Sequence, residues 1–263
     1  MVGWWWTEEE HRQFAEWADR NATGWVKSMY LHIPYGATSV SSVPLPRECR
    51  RGAFVHVGYA EQASPRDVYG HLGPVVAASR IERTVADLGR QGVSGVMAYS
   101  EGVFDDVNRA ILAGLSSGKF RTGDEVLRAY ARRYFGVEEP AAAAWAQWLA
   151  AWGRPFDADP RQSAAELAEL LKKTPNDSWR RRQWELKLEL FRLNRKIEKQ
   201  GAWTPQRLSD VEEFWKVHEA IQRGLWGLGA LRHCFDRRYT PVPWYADWAR
   251  HAALEVKTLG KEQ

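Results

Sequence analysis

Ten residues after a short apolar run carry much of the chain's capacity for chemistry. Gly95, Val96, Met97 and Ala98 read as a buried strand, and Tyr99, Ser100, Glu101, Asp105, Asp106 and Asn108 crowd behind it before a helix begins. Carboxylates bunched at the end of a parallel strand suit general acid–base work, because the carboxyl ends of such strands and the loops after them line the sites of α/β proteins. A second strand, Ala53 to Tyr59, runs into Ala60-Glu61-Gln62, so Glu61 and Glu101 hold equivalent places two residues beyond Tyr59 and Tyr99. Strand alternation sends each tyrosine to the same face as its glutamate. His32 and Tyr35, at the end of an earlier strand, with Asp105 and Asn108, extend the polar rim.

Plainer roles stay open for each. Asp105 or Asp106 can cap the following helix, which favours a carboxylate at its start. Glu61 can pair with Arg66, and Glu101 can accept backbone amides in its turn. His56, in Val-His-Val, reads as a hydrogen-bonded core residue, because no second ligand stands at coordinating spacing. No metal and no cofactor is expected.

The elements that must position these groups follow from pattern. Thr7 and Glu10 form a capping box that starts a helix running to about Asn21. Residues 26–34, with Met29, Leu31 and Ile33 alternating against Ser28, Tyr30 and His32, read as the first strand, ending at Pro34-Tyr35-Gly36. Residues 37–52, with Pro44, Pro46 and the basic cluster Arg47, Arg50 and Arg51, suit a long exposed loop. Strands at 53–59 and 93–99 follow, the latter after a helix over 74–90. Ser64-Pro65 marks a further helix start. Strand, helix, strand at this spacing is a parallel crossover.

From Asp105 onward the periodicity is helical. Val107, Ala110, Ile111, Gly114 and Leu115 form one apolar stripe; Leu127, Tyr130, Ala131, Tyr134 and Phe135 form another after the capping box Thr122–Glu125. Helices are expected near 138–152, 162–173, 178–200, 205–230 and 243–258. The fold class is therefore α/β with few parallel strands, followed by an all-α region, divided as residues 1–120 and 121–263. Three strands leave open sheet edges. The expectation is that the chain closes a larger barrel or borrows strands from a partner chain.

Composition narrows the function classes. The 263 residues include 15 tryptophans, a formal charge of +4 and two cysteines, Cys49 and Cys234, far apart and without metal spacing. Trp145, Trp148 and Trp152, and Trp244 and Trp248, repeat at helical spacing and read as core; Trp4, Trp5 and Trp6 do not, and can line a site. Acidic residues interleave with the basic ones, Arg180-Arg181-Arg182 included, so nucleic acid is disfavoured and these charges read as a solvated helix face. No run of about 18 apolar residues suggests a membrane span.

The segment Tyr-Ser-Glu-Gly at 99–102, then Asp-Asp-Val-Asn at 105–108, then a helix, a small-residue turn and Tyr130-Ala131-Arg132-Arg133-Tyr134-Phe135-Gly136, resembles the closing section of certain large glycoside hydrolase-like proteins. The likeness covers about residues 50–136. In those proteins a TIM barrel ends with its last strand and passes into helices. The resemblance implies carbohydrate as ligand and Glu101 and Glu61 as acid, base or nucleophile, since glycosidic cleavage uses two carboxyl groups about 5 to 9.5 Å apart. It implies Tyr99, Tyr59, His32, Tyr35, Asp105 and Asn108 as sugar contacts. The alternatives are a noncatalytic carbohydrate-binding module or a helical protein-interaction module.

Overall fold

The structure is a computed structural model that describes residues 1–3, 6–34, 37–58, 75–100, 105–154, 159–175, 177–200 and 204–226. Among these are four parallel strands and eight helices: β1 (Val2–Gly3), α1 (Glu8–Asn21), β2 (Ser28–His32), β3 (Arg50–His56), α2 (Ala78–Arg90), β4 (Gly95–Tyr99), α3 (Asp106–Ser116), α4 (Gly123–Phe135), α5 (Ala141–Ala151), α6 (Pro160–Lys172), α7 (Trp179–Glu198) and α8 (Pro205–Trp226). The chain is thus a mixed α/β protein with a helical portion. It divides into two compact units, Met1–Tyr130 with Leu149–Asp157, and Ala131–Trp148 with Ala158–Gln263.

In the first unit the four strands form one sheet whose spatial order, β1-β2-β3-β4, follows the chain. Ser28 pairs with Arg50, His32 with Phe54, Gly52 with Gly95, and His56 with Tyr99. One face is mostly apolar and is buried along β2 and β3, at Met29, Leu31, Ala53 and Val55, and at Val57 just beyond β3. α1 reaches this face through small residues, burying His11, Ala15 and Ala18 at i, i+4 and i+7. The approach is close at Gly3, where a Cβ would come within 2.6 Å of both the His11 ring and the Met29 methyl. The opposite face carries Tyr30, His32, Phe54, His56, Met97 and Tyr99 in paired register, because partners across a parallel ladder point the same way.

On that second face Tyr30 lies across Gly52, whose missing side chain makes room for its ring; a Cβ there would stand 2.6 Å from the ring edge. Gly52→Ala is expected to lower stability by about 1 to 3 kcal/mol through overpacking. Urea denaturation checks this, and the loss should shrink by more than half when Tyr30→Ala is already present. An equal loss in both backgrounds would place the strain elsewhere.

Two elements differ from the sequence reading. β1 is a two-residue strand, too short to show any periodicity. Residues 50–52 belong to β3 and not to a loop, their charged side chains lying at the exposed start of the strand. The rest of the predicted loop is also less exposed than expected. Val40, Val43 and Pro46 are buried, the Gln91 amide bonds both the N–H and the C=O of Val40 at 3.1 Å, and Arg47 donates its N–H to Asp19 at 2.7 Å. The capping boxes at Thr7–Glu10 and Thr122–Glu125 form with both reciprocal bonds. The expected helix at 243–258 and the helix start at Ser64 lie outside the described residues.

The second unit is built on aromatic packing. Phe135, Trp145, Trp148 and Trp184 stack in series with ring centroids 4.2, 5.7 and 5.3 Å apart. Two of the indoles find acceptors within this unit: Trp145 donates to Thr174 at 3.0 Å, and Trp148 to the Ser163 carbonyl at 3.3 Å. α7 and α8 pack antiparallel. Gln183 bonds Ile221 near one end of the pair, and Asp210 accepts from Lys196, Gln200 and Gln206 near the other. The charges on α7 are not all a solvated face. Lys187 is buried against the Trp184 ring at 4.5 Å, and the Arg180 guanidinium sits 3.9 Å from the Tyr134 ring centre and 4.1 Å from that of Trp179.

Candidate functional site at the carboxyl edge of the sheet

The carboxyl ends of β3 and β4 hold an aromatic cluster. His56 and Tyr99, partners in the ladder, meet edge to face with ring centroids 4.8 Å apart, and Phe54 lies 5.6 Å from the imidazole and 5.3 Å from the phenol ring. His56 is buried and Tyr99 half-buried. Below them the buried Arg80 of α2 donates to the main-chain carbonyls of His56, at 3.3 Å, and Val57, at 3.5 Å. A guanidinium bonded to two successive carbonyls fixes the end of β3 while setting a positive charge beneath the edge.

Beyond β4, Ser100 donates to Asp105 at 2.6 Å, and Arg109 donates to Ser100 at 3.5 Å. Asp105 holds the N-cap position of α3, yet its side chain makes no cap hydrogen bond and is almost wholly buried. Asp106 takes the Tyr130 hydroxyl instead. Neither aspartate is therefore a simple cap.

Asn108 stands away from any rim. It is fully buried, its Oδ1 accepts from the Ala77 N–H at 2.9 Å, and its Nδ2 donates to the carbonyls of Val57 at 2.6 Å and Val75 at 3.1 Å. Its amide joins α3 to the main chain beyond β3 and before α2. Glu61, Glu101, Tyr59 and Tyr35 lie outside the described residues.

His32, the remaining predicted contact, ends β2 and lines a cavity of about 410 Å³. Trp6 from the β1–α1 connection, Glu8 and His11 from α1, and Ser41 and Ser42 from the loop after β2 also line it. Leu31 and Val43 form its apolar part. Trp6 packs 5.3 Å from the His11 ring and 5.4 Å from Phe14. Burial first, then the neighbouring His32, holds the His11 imidazole below its ordinary pKa, against an opposite pull from Glu10. His11 Nδ1 is buried without a hydrogen-bond partner.

Sequence reading brings His32 and Tyr99 to this edge and misses His11 and Arg80. The signal for His11 was present: it heads the buried stripe of α1, where every other member is alanine. Among the described residues no group of three or more His, Cys, Asp or Glu side chains is arranged to hold a metal ion, and no helix is long and apolar enough to cross a membrane. Comparison with known proteins finds no matching family, no matching curated protein and no matching solved structure.

Proposed function

We propose that this chain is a glycoside hydrolase-like protein that binds carbohydrate along the carboxyl edge of its sheet, with Glu61 and Glu101 supplying the two carboxyl groups of glycosidic cleavage. The observation that carries the reading is the gathering of His32, His56 and Tyr99 on one face, at one end, of an all-parallel sheet. Rings at such an edge offer flat apolar surface to the C–H face of a sugar, and their polar tips meet its hydroxyls.

Strand order supports the barrel part of the proposal. Parallel strands that follow one another in space as they do in sequence are what an arc of a βα barrel requires. β4 is less covered than β3, with Ala98 exposed and Val96 half-buried while Ala53 and Val55 are buried, which suits further strands or a partner chain beside it. The tryptophan excess adds less, since Trp145, Trp148, Trp152 and Trp184 are all buried in packing.

The test is hydrolysis of a panel of aryl glycosides by the full chain and by Glu61→Gln and Glu101→Gln. Turnover should fall at least tenfold in each, because each variant removes an ionisable group without changing side-chain shape. Unchanged turnover in both would remove these residues from the chemistry; sugar binding with no hydrolysis by the unaltered chain would favour a noncatalytic module.

A further inference from the structure

We infer that the cavity at the carboxyl ends of β1 and β2 holds one neutral sugar ring of an oligosaccharide whose chain runs on past His32 to the His56–Tyr99 pair. This rests on the carbohydrate reading and adds to it a second subsite, and with it a minimum ligand: an oligomer and not a single sugar.

The lining selects the ligand's charge. Among the described residues neither lysine nor arginine contributes to it, and the one carboxylate among them, Glu8, starts a helix whose first turn also carries Glu9 and Glu10. An anion would meet repulsion there. A metal ion is not favoured, because among the described residues Glu8 and the two histidines do not come together as a metal-binding group. The depressed pKa of His11 leaves its imidazole uncharged at neutral pH, able both to donate and to accept.

A neutral ligand rich in hydroxyls matches what remains. Glu8 accepts; Ser41, Ser42 and the two imidazoles donate or accept; and the half-buried Trp6 offers an aromatic face beside Leu31 and Val43. Mixed donors and acceptors around an aromatic ring and an apolar floor are complementary to a pyranose, whose hydroxyls ring its edge and whose C–H bonds cover its faces.

Continuity comes from His32. It lines the cavity and also pairs in register with Phe54, whose ring touches both His56 and Tyr99. Neighbouring strands lie about 4.8 Å apart, so two strand steps separate the cavity from the His56–Tyr99 pair by roughly 10 Å, a gap that adjoining sugar units bridge.

Titration calorimetry of the full chain tests this with cellohexaose, xylohexaose, mannohexaose, maltohexaose and chitohexaose, each beside its monosaccharide. At least one hexasaccharide should bind tenfold or more tightly than its monosaccharide, and Trp6→Ala and His32→Ala should each erase most of that advantage. Ser41→Val with Ser42→Val, at exposed positions where folding is not at stake, should weaken the same hexasaccharide at least threefold. A hexasaccharide bound equally well by all these variants, or no better than its monosaccharide, would overturn the subsite and leave the carbohydrate reading standing. No binding of any sugar by the unaltered chain would overturn both.

Discussion

Asn108→Ala is expected to destabilise the α/β unit by about 2 to 5 kcal/mol, because it strands the Ala77 N–H and the Val75 carbonyl, each costing about 1 to 3 kcal/mol, and leaves the Val57 carbonyl with only its long bond from Arg80. Domains of this size are stable by about 5 to 15 kcal/mol, so the loss is a large share of the whole. The three partners are Ala77, Val57 and Val75, which engage the amide oxygen and both amide protons. Asn108→Asp separates the bonds from simple volume. The carboxylate keeps the acceptor facing the Ala77 N–H but sets oxygen against both carbonyls, and it buries a charge. It should therefore destabilise at least as much as alanine although its shape is preserved. Urea unfolding followed by far-UV circular dichroism measures both variants. A change under about 1 kcal/mol for alanine would mean that these main-chain groups find other partners.

The same residue shows why part of the site was legible and part was not. Asp-Asp-Val-Asn at the head of a predicted helix announces polar chemistry, and composition cannot say whether a polar group faces solvent or main chain. The partners of Asn108 lie 31 to 51 residues away, so their meeting depends on the packing of α3 against the ends of β3 and α2. Local features read through. The two capping boxes need only four residues each, and both form as spaced. Strand periodicity located β2 and β4 because their alternation spans at least five residues, whereas β1, at two, carries no period. The start of β3 was obscured by Arg50 and Arg51, which look like loop residues until Met29 is found pairing beside Arg51. The His11 cavity illustrates a third kind of information. Trp6, His11, His32 and Ser41 come from four separate stretches, and only the parallel pairing of β1 with β2 and the small residues of α1 bring them together.

Charge in the helical unit leads to the second large effect, a loss of stability in mild acid centred on His218. This residue of α8 is buried beside Phe214, the ring centroids 6.4 Å apart, and burial pushes its pKa down from 6.5 to about 4. In the unfolded chain the imidazole takes up a proton as pH falls through 6.5; in the folded unit it stays neutral until about 4. Between those values the unfolded state binds more protons, so stability must fall with pH and level off once the folded group also titrates. A shift from 6.5 to about 4 corresponds to a loss of up to about 3 kcal/mol across the window. Asp210 extends the effect to lower pH. Its burial acts to raise its pKa, but hydrogen bonds from Lys196, Gln200 and Gln206 outweigh that and hold it below 3.8. The stability that this carboxylate contributes is present above 3.8 and is lost as pH falls through its lowered folded value. The two groups thus act in successive windows, and a substitution at one leaves the other's window in place. Urea midpoints followed by helical circular dichroism between pH 7 and pH 3 should fall first across the His218 window. His218→Leu should flatten that part of the curve while leaving the drop below pH 3.8 intact. If the variant keeps the full slope between pH 6.5 and 4, protonation of a different group drives the acid loss.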